Sequence, residues 1–313
     1  MGIKRNDSIE LLRDLLMLGI CILHSCSLGG FSTRWVCRLL MPCVPCFVFI
    51  SGYYGIRTTP MRIAKLIGTA FACVPAIGIV SWFAGCHGID GFVIGAKGVA
   101  DNWFVWAYVG LMCFAPALNH ALDSEKRLSL TLPIIGMSLG WGFIKGLPWF
   151  RTFMPTTDGL GGYTFTMMIG VYLVAGLWRR YEIACKARFW HWLIGFAGAN
   201  VILRCIGLSA YCSPVSVVWA AILFTLFVRV RLDDTIGAVA AFVAKSTFPI
   251  FVMHANGIGI DLIRRLANLL CDEYGLSIYA MYLIVGITVF IAGLLLDMPR
   301  RGLVFQLARR NGK

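Results

Sequence analysis

Arg13 and His24 stand eleven residues apart in the first apolar segment of a chain that reads as almost entirely membrane-spanning. Eleven steps of about 100° return to within roughly 20° of the starting direction, so on a helix both share one face, roughly 16 Å apart along the axis. Neither belongs in hydrocarbon without a partner or a water-filled cavity. Imidazole is the side chain suited to taking up a proton near neutral pH. Guanidinium is the one suited to gripping phosphate in a bidentate fork. A helix carrying both on one stripe is expected to line a site. Glu10 lies three residues before Arg13, the spacing of an ion pair on a helix, and three after Asp7, the spacing of a capping box with Asp7 as the cap.

The elements that must position these groups are apolar helices. The chain has 313 residues, 59% hydrophobic and 14% charged, with a mean hydropathy of +0.79; a soluble domain is about 25% charged. Runs able to cross about 30 Å of hydrocarbon recur along the whole length. They fall at 9–28, 34–55, 63–84, 103–121, 130–147, 162–178, 189–207, 211–228, 236–256 and 276–297. No strand-like alternation competes with them, which argues against a β-barrel. The expected fold is therefore an all-α integral membrane protein, a single bundle of about ten transmembrane helices forming one domain over 1–313. Pro42, Pro45, Pro75, Pro116, Pro133 and Pro249 fall within spans, where they break or kink helices and free carbonyls towards protein or water.

The net charge of +13 could point to nucleic acid, but its distribution is topological. Eighteen of the 28 Lys and Arg residues fall on one set of alternate segments and eight on the other, with Arg13 and Lys245 left inside spans. The positive-inside rule then places both termini in the cytoplasm, with 86–102 and 257–275 outside. The basic excess faces lipid headgroups, and no nucleic-acid partner is expected. The cysteines lie mostly within or beside apolar spans, where they behave as small hydrophobes. Cys43-Val-Pro-Cys46 has metal or redox spacing but no second pair or His cluster, so no metal is expected. Segment 9–28 shows no convincing cleavage site and reads as a signal anchor.

These residues resemble the membrane acyltransferase-3 family. Glu10-Leu-Leu-Arg13, then ten residues, then His24, looks like its opening signature. Phe47-Val-Phe-Ile-Ser51-Gly52-Tyr53 resembles its second-helix motif, and Arg62 occupies the place of a basic residue before the third span. Trp103-Phe104 with Tyr108, Pro116 and Asn119 matches the fourth-span pattern. Phe165 to Tyr172, with Gly170, resembles a middle-span segment, and Ser246-Thr-Phe-Pro-Ile-Phe-Val-Met-His254 resembles the late Ser-aromatic-His motif. Glu10 stands where Asp is commoner and Phe251 where Tyr is common. The resemblance is expected to be to short, membrane-only members without a fused esterase-like domain, similar to those acting on surface polysaccharides.

The resemblance implies an O-acyltransferase, with acetyl-CoA as donor and a glycan or glycolipid hydroxyl as acceptor, in the cytoplasmic membrane of a bacterium. It implies His24 as general base, with Arg13 and Glu10 beside it in the catalytic set. Arg13, Arg62, Ser51 and Tyr53 are expected at the donor, and Trp103, Tyr108 and His254 at the acceptor. The residues themselves fit this chemistry: acyl transfer to a hydroxyl needs a base for the proton and positive charge for the carrier's phosphates. His24, roughly 22 Å into the helix from its cytoplasmic start, would sit in the outer half.

Other readings stand beside these. Ser51-Gly52 suits close helix approach as well as a pocket wall. Trp103 at a span edge suits an interfacial belt. Asn119 reads as helix–helix glue, and Lys245 as an amphipathic start to its span. Arg13 near the cytoplasmic end could snorkel to headgroups. The alternative function is a transporter or exporter of a polysaccharide or lipid-linked intermediate. It would also want polar groups along a bundle, but it usually leaves an internal repeat, and none is visible.

Overall fold

A computed structural model describes residues 6–26, 34–146, 165–186, 191, 194–195, 197–198 and 214–311. Among them every regular element is helical. The helices are α1 (Asp7–Cys26), α2 (Arg34–Leu40), α3 (Cys43–Tyr54), α4 (Pro60–Phe71), α5 (Val74–Phe83), α6 (Asp90–Ala100), α7 (Trp103–Asp123), α8 (Arg127–Gly146), α9 (Phe165–Arg180), α10 (Ile183–Lys186), α11 (Pro214–Val228), α12 (Asp234–Val243), α13 (Thr247–His254), α14 (Gly257–Asn268) and α15 (Ile278–Asn311). Four stretches are long and apolar enough to cross a membrane: Pro60–Phe83, Asp90–Asp123, Asp234–His254 and Ile278–Gln306. Cys43–Tyr54, Arg127–Gly140 and Val215–Val228 form shorter apolar helices. The expected span 189–207 lies largely outside the described residues.

The prolines divide into two kinds. Pro42 sits at the break between α2 and α3, and Pro75 opens α5 just after the break at 72–73. Two of the expected runs, 34–55 and 63–84, are thereby each split into two helices. Pro116 and Pro133 instead lie inside unbroken α7 and α8. α1 also starts differently from expectation. Asn6, not Asp7, is the cap: its side-chain oxygen accepts from the Ser8 amide at 3.1 Å, and its carbonyl accepts from the Ile9 amide at 3.0 Å.

The chain packs as two compact units, each assembled from separated stretches. One comprises 1–12, 38–63 and 106–237. Its centre is the α3–α9 contact, where Gly52 presses on the backbone of Tyr172 so closely that a Cβ would stand 2.5 Å from the Tyr172 oxygen. Small residues permit such approach between membrane helices. Around it, Asn119 donates to the Ile56 carbonyl at 3.0 Å and accepts from the Tyr172 hydroxyl at 2.7 Å, which makes it the helix glue its type suggests.

The other unit comprises 13–37, 64–105 and 238–313. Its spine is α15. Leu283, Ile287, Ile291 and Leu295 recur every fourth residue and stay about half exposed, an apolar row that suits lipid and not water. The opposite face is buried, with Met281, Tyr282 and Val285 inside. Two glycines on α15 admit neighbours. Gly286 lies against the backbone of Ile22 in α1, and Gly293 against the side chain of Ile250 in α13.

Candidate functional site

The second unit brings His24 and His254 together: their ring centroids are 4.9 Å apart with planes tilted by 54°. α15 holds both. Beside Gly286, Ser25 donates its hydroxyl to the Ile22 carbonyl at 2.7 Å and approaches the Tyr282 carbonyl at 3.3 Å, fixing the α1 turn that carries His24. On α13, His254 Nδ1 lies 2.6 Å from the Ile250 carbonyl. A carbonyl can only accept, so Nδ1 carries the proton and Nε2 keeps its lone pair. Nε2 is buried, with no hydrogen-bond partner among the described residues. His254 is 4% exposed, and His24 is the less buried of the two rings, although its own Nδ1 is buried as well.

Residues that single-sequence reading passed over complete this corner. Asn102 is buried and caps α7 by accepting from the Phe104 and Val105 amides at 3.2 and 3.3 Å. Its amide also donates to the Ala255 carbonyl at 3.1 Å, directly after His254. Asn256 caps α14 through the Gly259 amide at 3.0 Å while donating back to Val252 and Met253 at 2.9 and 2.8 Å. Phe104 packs on Phe251 at 4.9 Å, and Phe251 stands edge-on to His254 at 6.0 Å. The signal for Asn102 was present in the sequence: an Asn immediately before an apolar helix is a cap.

At the other end of α13 lies an open cavity of about 1100 Å³. Lys65, Lys245, Arg300 and Arg301 contribute four cations to its lining, with Thr69, Phe242 and Phe248 between them. Arg301 stacks over the Phe242 ring at 4.0 Å, and Arg300 is forked onto Asp297 through Nε and Nη2 at 2.5 and 2.9 Å. The Arg300 fork is thus taken up by a carboxylate, whereas Arg301, held over the ring, is the guanidinium preorganised for an incoming anion. Lys245 to His254 is nine residues, on the order of 14 Å of helix rise. Pro249, which also lines the cavity, lies between them.

The remaining expected residues are placed as follows. Arg13 belongs to the same unit as the histidine pair and is half-buried on α1. Trp103 stands at the start of α7, edge-on to Phe104 at 5.7 Å. In the first unit, Glu10 is buried in the opening turns of α1. Ser51 and Tyr108 meet there, their hydroxyls 2.9 Å apart, and Ser51 also donates to the Phe47 carbonyl at 3.0 Å. Tyr53 packs on Phe224 at 4.4 Å. Arg62 is exposed and donates to the Arg57 carbonyl at 2.8 Å. Cys43 and Cys46 are buried as free thiols, and Cys46 contacts the Ala220 carbonyl at 3.7 Å. No three His, Cys, Asp or Glu side chains converge as a metal centre would require among the described residues.

The acyltransferase domain of the acyltransferase-3 family matches residues 6–297, nearly the whole chain. The chain belongs to this family. Searches of curated proteins and of solved structures each returned no match. The protein is thus a membrane acyltransferase, and both histidines, Asn102 and Asp297 fall within the matched region.

Proposed function

We propose that this acyltransferase moves an acyl group, in the first instance acetyl, from coenzyme A to a hydroxyl of a cell-envelope glycan or glycolipid in a bacterial cytoplasmic membrane. The observation that carries the proposal is the pairing of His24 with the buried, tautomer-fixed His254. His24 takes the acceptor's hydroxyl proton as the oxygen bonds to the thioester carbonyl carbon. It returns that proton to the sulfur when the carbon–sulfur bond breaks, leaving free thiol and an ester. His254 packs against His24 with Nδ1 tied to Ile250, so the pair presents a fixed ring orientation.

The donor's phosphates suit Lys65, Lys245 and Arg301 of the cavity, which join the Arg13 and Arg62 expected from the family pattern, while Arg300 is paired with Asp297. A long carrier arm running beside α13 connects that cavity with the histidines; a compact acyl phosphate would not span the distance. Ser51 and Tyr53 are assigned to the donor by the family pattern alone, and Trp103 and Tyr108 to the acceptor, with Glu10 in the catalytic set. The topology proposed with this function has ten crossings and both termini cytoplasmic, so the donor arrives from inside and the acceptor from outside.

The test is purified protein in lipid nanodiscs supplied with radiolabelled acetyl-CoA and an acceptor glycan. Stoichiometric release of free thiol with label on the acceptor is expected. Movement of the unmodified glycan across vesicles, without label transfer, would favour the exporter instead.

A further inference from the structure

Asp297 is a carboxylate only 2% exposed within the membrane-crossing stretch Ile278–Gln306, where an uncompensated charge is costly. It is fully engaged. Arg300 forks onto both oxygens, and Oδ2 also accepts the Ser246 hydroxyl at 2.7 Å. Arg300 alone would answer the charge. The Ser246 bond does something more, because Ser246 is the last residue before α13 and is itself completely buried.

α13 needs such a bond. It is eight residues long and is separated from α12 by the 3₁₀ turn Ala244–Ser246, so no continuous α-helical ladder sets its register. Ser246, at the end of the 3₁₀ turn, and Ile250 and His254 of α13 recur every fourth residue. Asp297 and Gly293, four apart on one row of α15, receive the first two: Asp297 takes the Ser246 hydroxyl and Gly293 takes the Ile250 side chain. The third member, His254, is tied to the second through the Ile250 carbonyl. Because α15 also seats Ile22 of α1 at Gly286, the relation of α13 to α15 decides whether His254 meets His24.

We propose that Asp297 is a positioning residue which, through Ser246, fixes the register of α13 and so holds His254 against His24. The inference rests on the acyl-transfer reading of the histidine pair. Sliding α13 by one residue moves His254 by about 1.5 Å along the axis and about 100° around it. Displacements of about 1 Å near the chemistry cost on the order of a hundredfold.

The discriminating variant is Ser246→Ala, which removes the bond to Asp297 and leaves the Asp297–Arg300 pair in place; it also removes the 3.3 Å bond that Ser246 accepts from Arg301 Nη1, so Arg301→Ala is run beside it as the control for that second bond. Expected are a kcat for acetyl transfer lowered at least tenfold, donor KM within twofold of wild type, and an unchanged amount of folded protein by size-exclusion chromatography. In a His254→Ala background the same change should cost less than twofold, since there is no ring left to place. Diethyl pyrocarbonate should modify His254 at least threefold faster in Ser246→Ala than in wild type, followed by peptide mass spectrometry. Asp297→Glu, which keeps an acceptor for Ser246, should recover part of the lost kcat that Asp297→Ala does not. An unchanged kcat, an equal loss in the His254→Ala background, or an unchanged modification rate would each overturn the role of Asp297. A wild-type protein that transfers no acyl group, with His254 modification still faster in Ser246→Ala, overturns the acyl-transfer reading and leaves the register lock standing as a structural fact.

Discussion

His24 and His254 face each other at 4.9 Å because one helix seats both of theirs. α1 closes on α15 at Gly286 through Ile22, and α13 closes on it at Gly293 through Ile250. Seven residues of α15 separate the two glycines, close to two turns of helix, so both neighbours pack on nearly the same face. The histidine pair is therefore set by close packing on two glycines, against backbone at Gly286 and against a side chain at Gly293. Its two rings differ in what they can do. The His254 ring has one nitrogen committed to a carbonyl, while the His24 ring is the less buried of the two.

If His24 is the base, His24→Ala should leave acetyl-CoA binding intact, since the proton it takes is on the acceptor. Transfer should fall by the ~10²–10⁴-fold typical of a lost general base. His254→Ala should be milder, because the ring that meets the acceptor survives. Steady-state transfer and equilibrium binding measured on both variants check the order. Label retained on wild-type protein when acceptor is withheld would show a covalent acyl-histidine instead of direct transfer.

The cavity makes a separate prediction about the donor. Lys65→Ala and Lys245→Ala should each weaken acetyl-CoA binding, and binding should weaken further as ionic strength rises. A charge-assisted bond is worth about 1.5–3 kcal/mol, so a loss of roughly tenfold to a hundredfold is expected for each lysine. Arg62→Ala should cost less than either, since that side chain is exposed and turned onto the Arg57 carbonyl. Isothermal titration of the three variants ranks them; Arg62 first would return the phosphates to the position the family pattern suggests.

Much of this was legible in residue order, for identifiable reasons. The helical stripe of Arg13 and His24 needs only a period, and period survives folding. The late Ser246-to-His254 motif was visible as a string, and so was its final histidine. What could not be read was the partner of each. Asp297 lies 51 residues from Ser246 and looks in sequence like the end of a span with arginines after it. Gly286 and Gly293 are two glycines among 34, and only the neighbours' positions show which of them are contact points. The capping residue was missed by one position, Asn6 for Asp7, because both side chains cap equally well and spacing to Glu10 favoured the wrong one.

The sidedness proposed from the basic asymmetry is directly measurable. Reporter fusions at Lys313 and near Lys97 should report opposite sides, the first cytoplasmic and the second external. Both reporters on one side would break this topology, and swapped sides would reverse the route by which donor and acceptor reach the histidines.

The close approaches on α15 supply the last prediction. At Gly286 an added Cβ would stand 3.1 Å from both the Cα and the amide nitrogen of Ile22, which are backbone atoms and cannot swing aside. Gly286→Ala must push α1 away from α15, so it should destabilise by about 1–3 kcal/mol, the usual cost of overpacking. Because α1 carries His24, transfer per folded molecule should fall as well, which overpacking at a remote position would not cause. Gly136, inside α8 with open space where a Cβ would point, is the control. There Ala should be neutral or stabilising by up to about 1 kcal/mol, as helix propensity favours it. Thermal melting in detergent alongside transfer rates separates the two effects. Equal melting temperatures and equal rates for both variants would mean that α1 and α15 do not meet at Gly286, and the placement of His24 would fall with that contact.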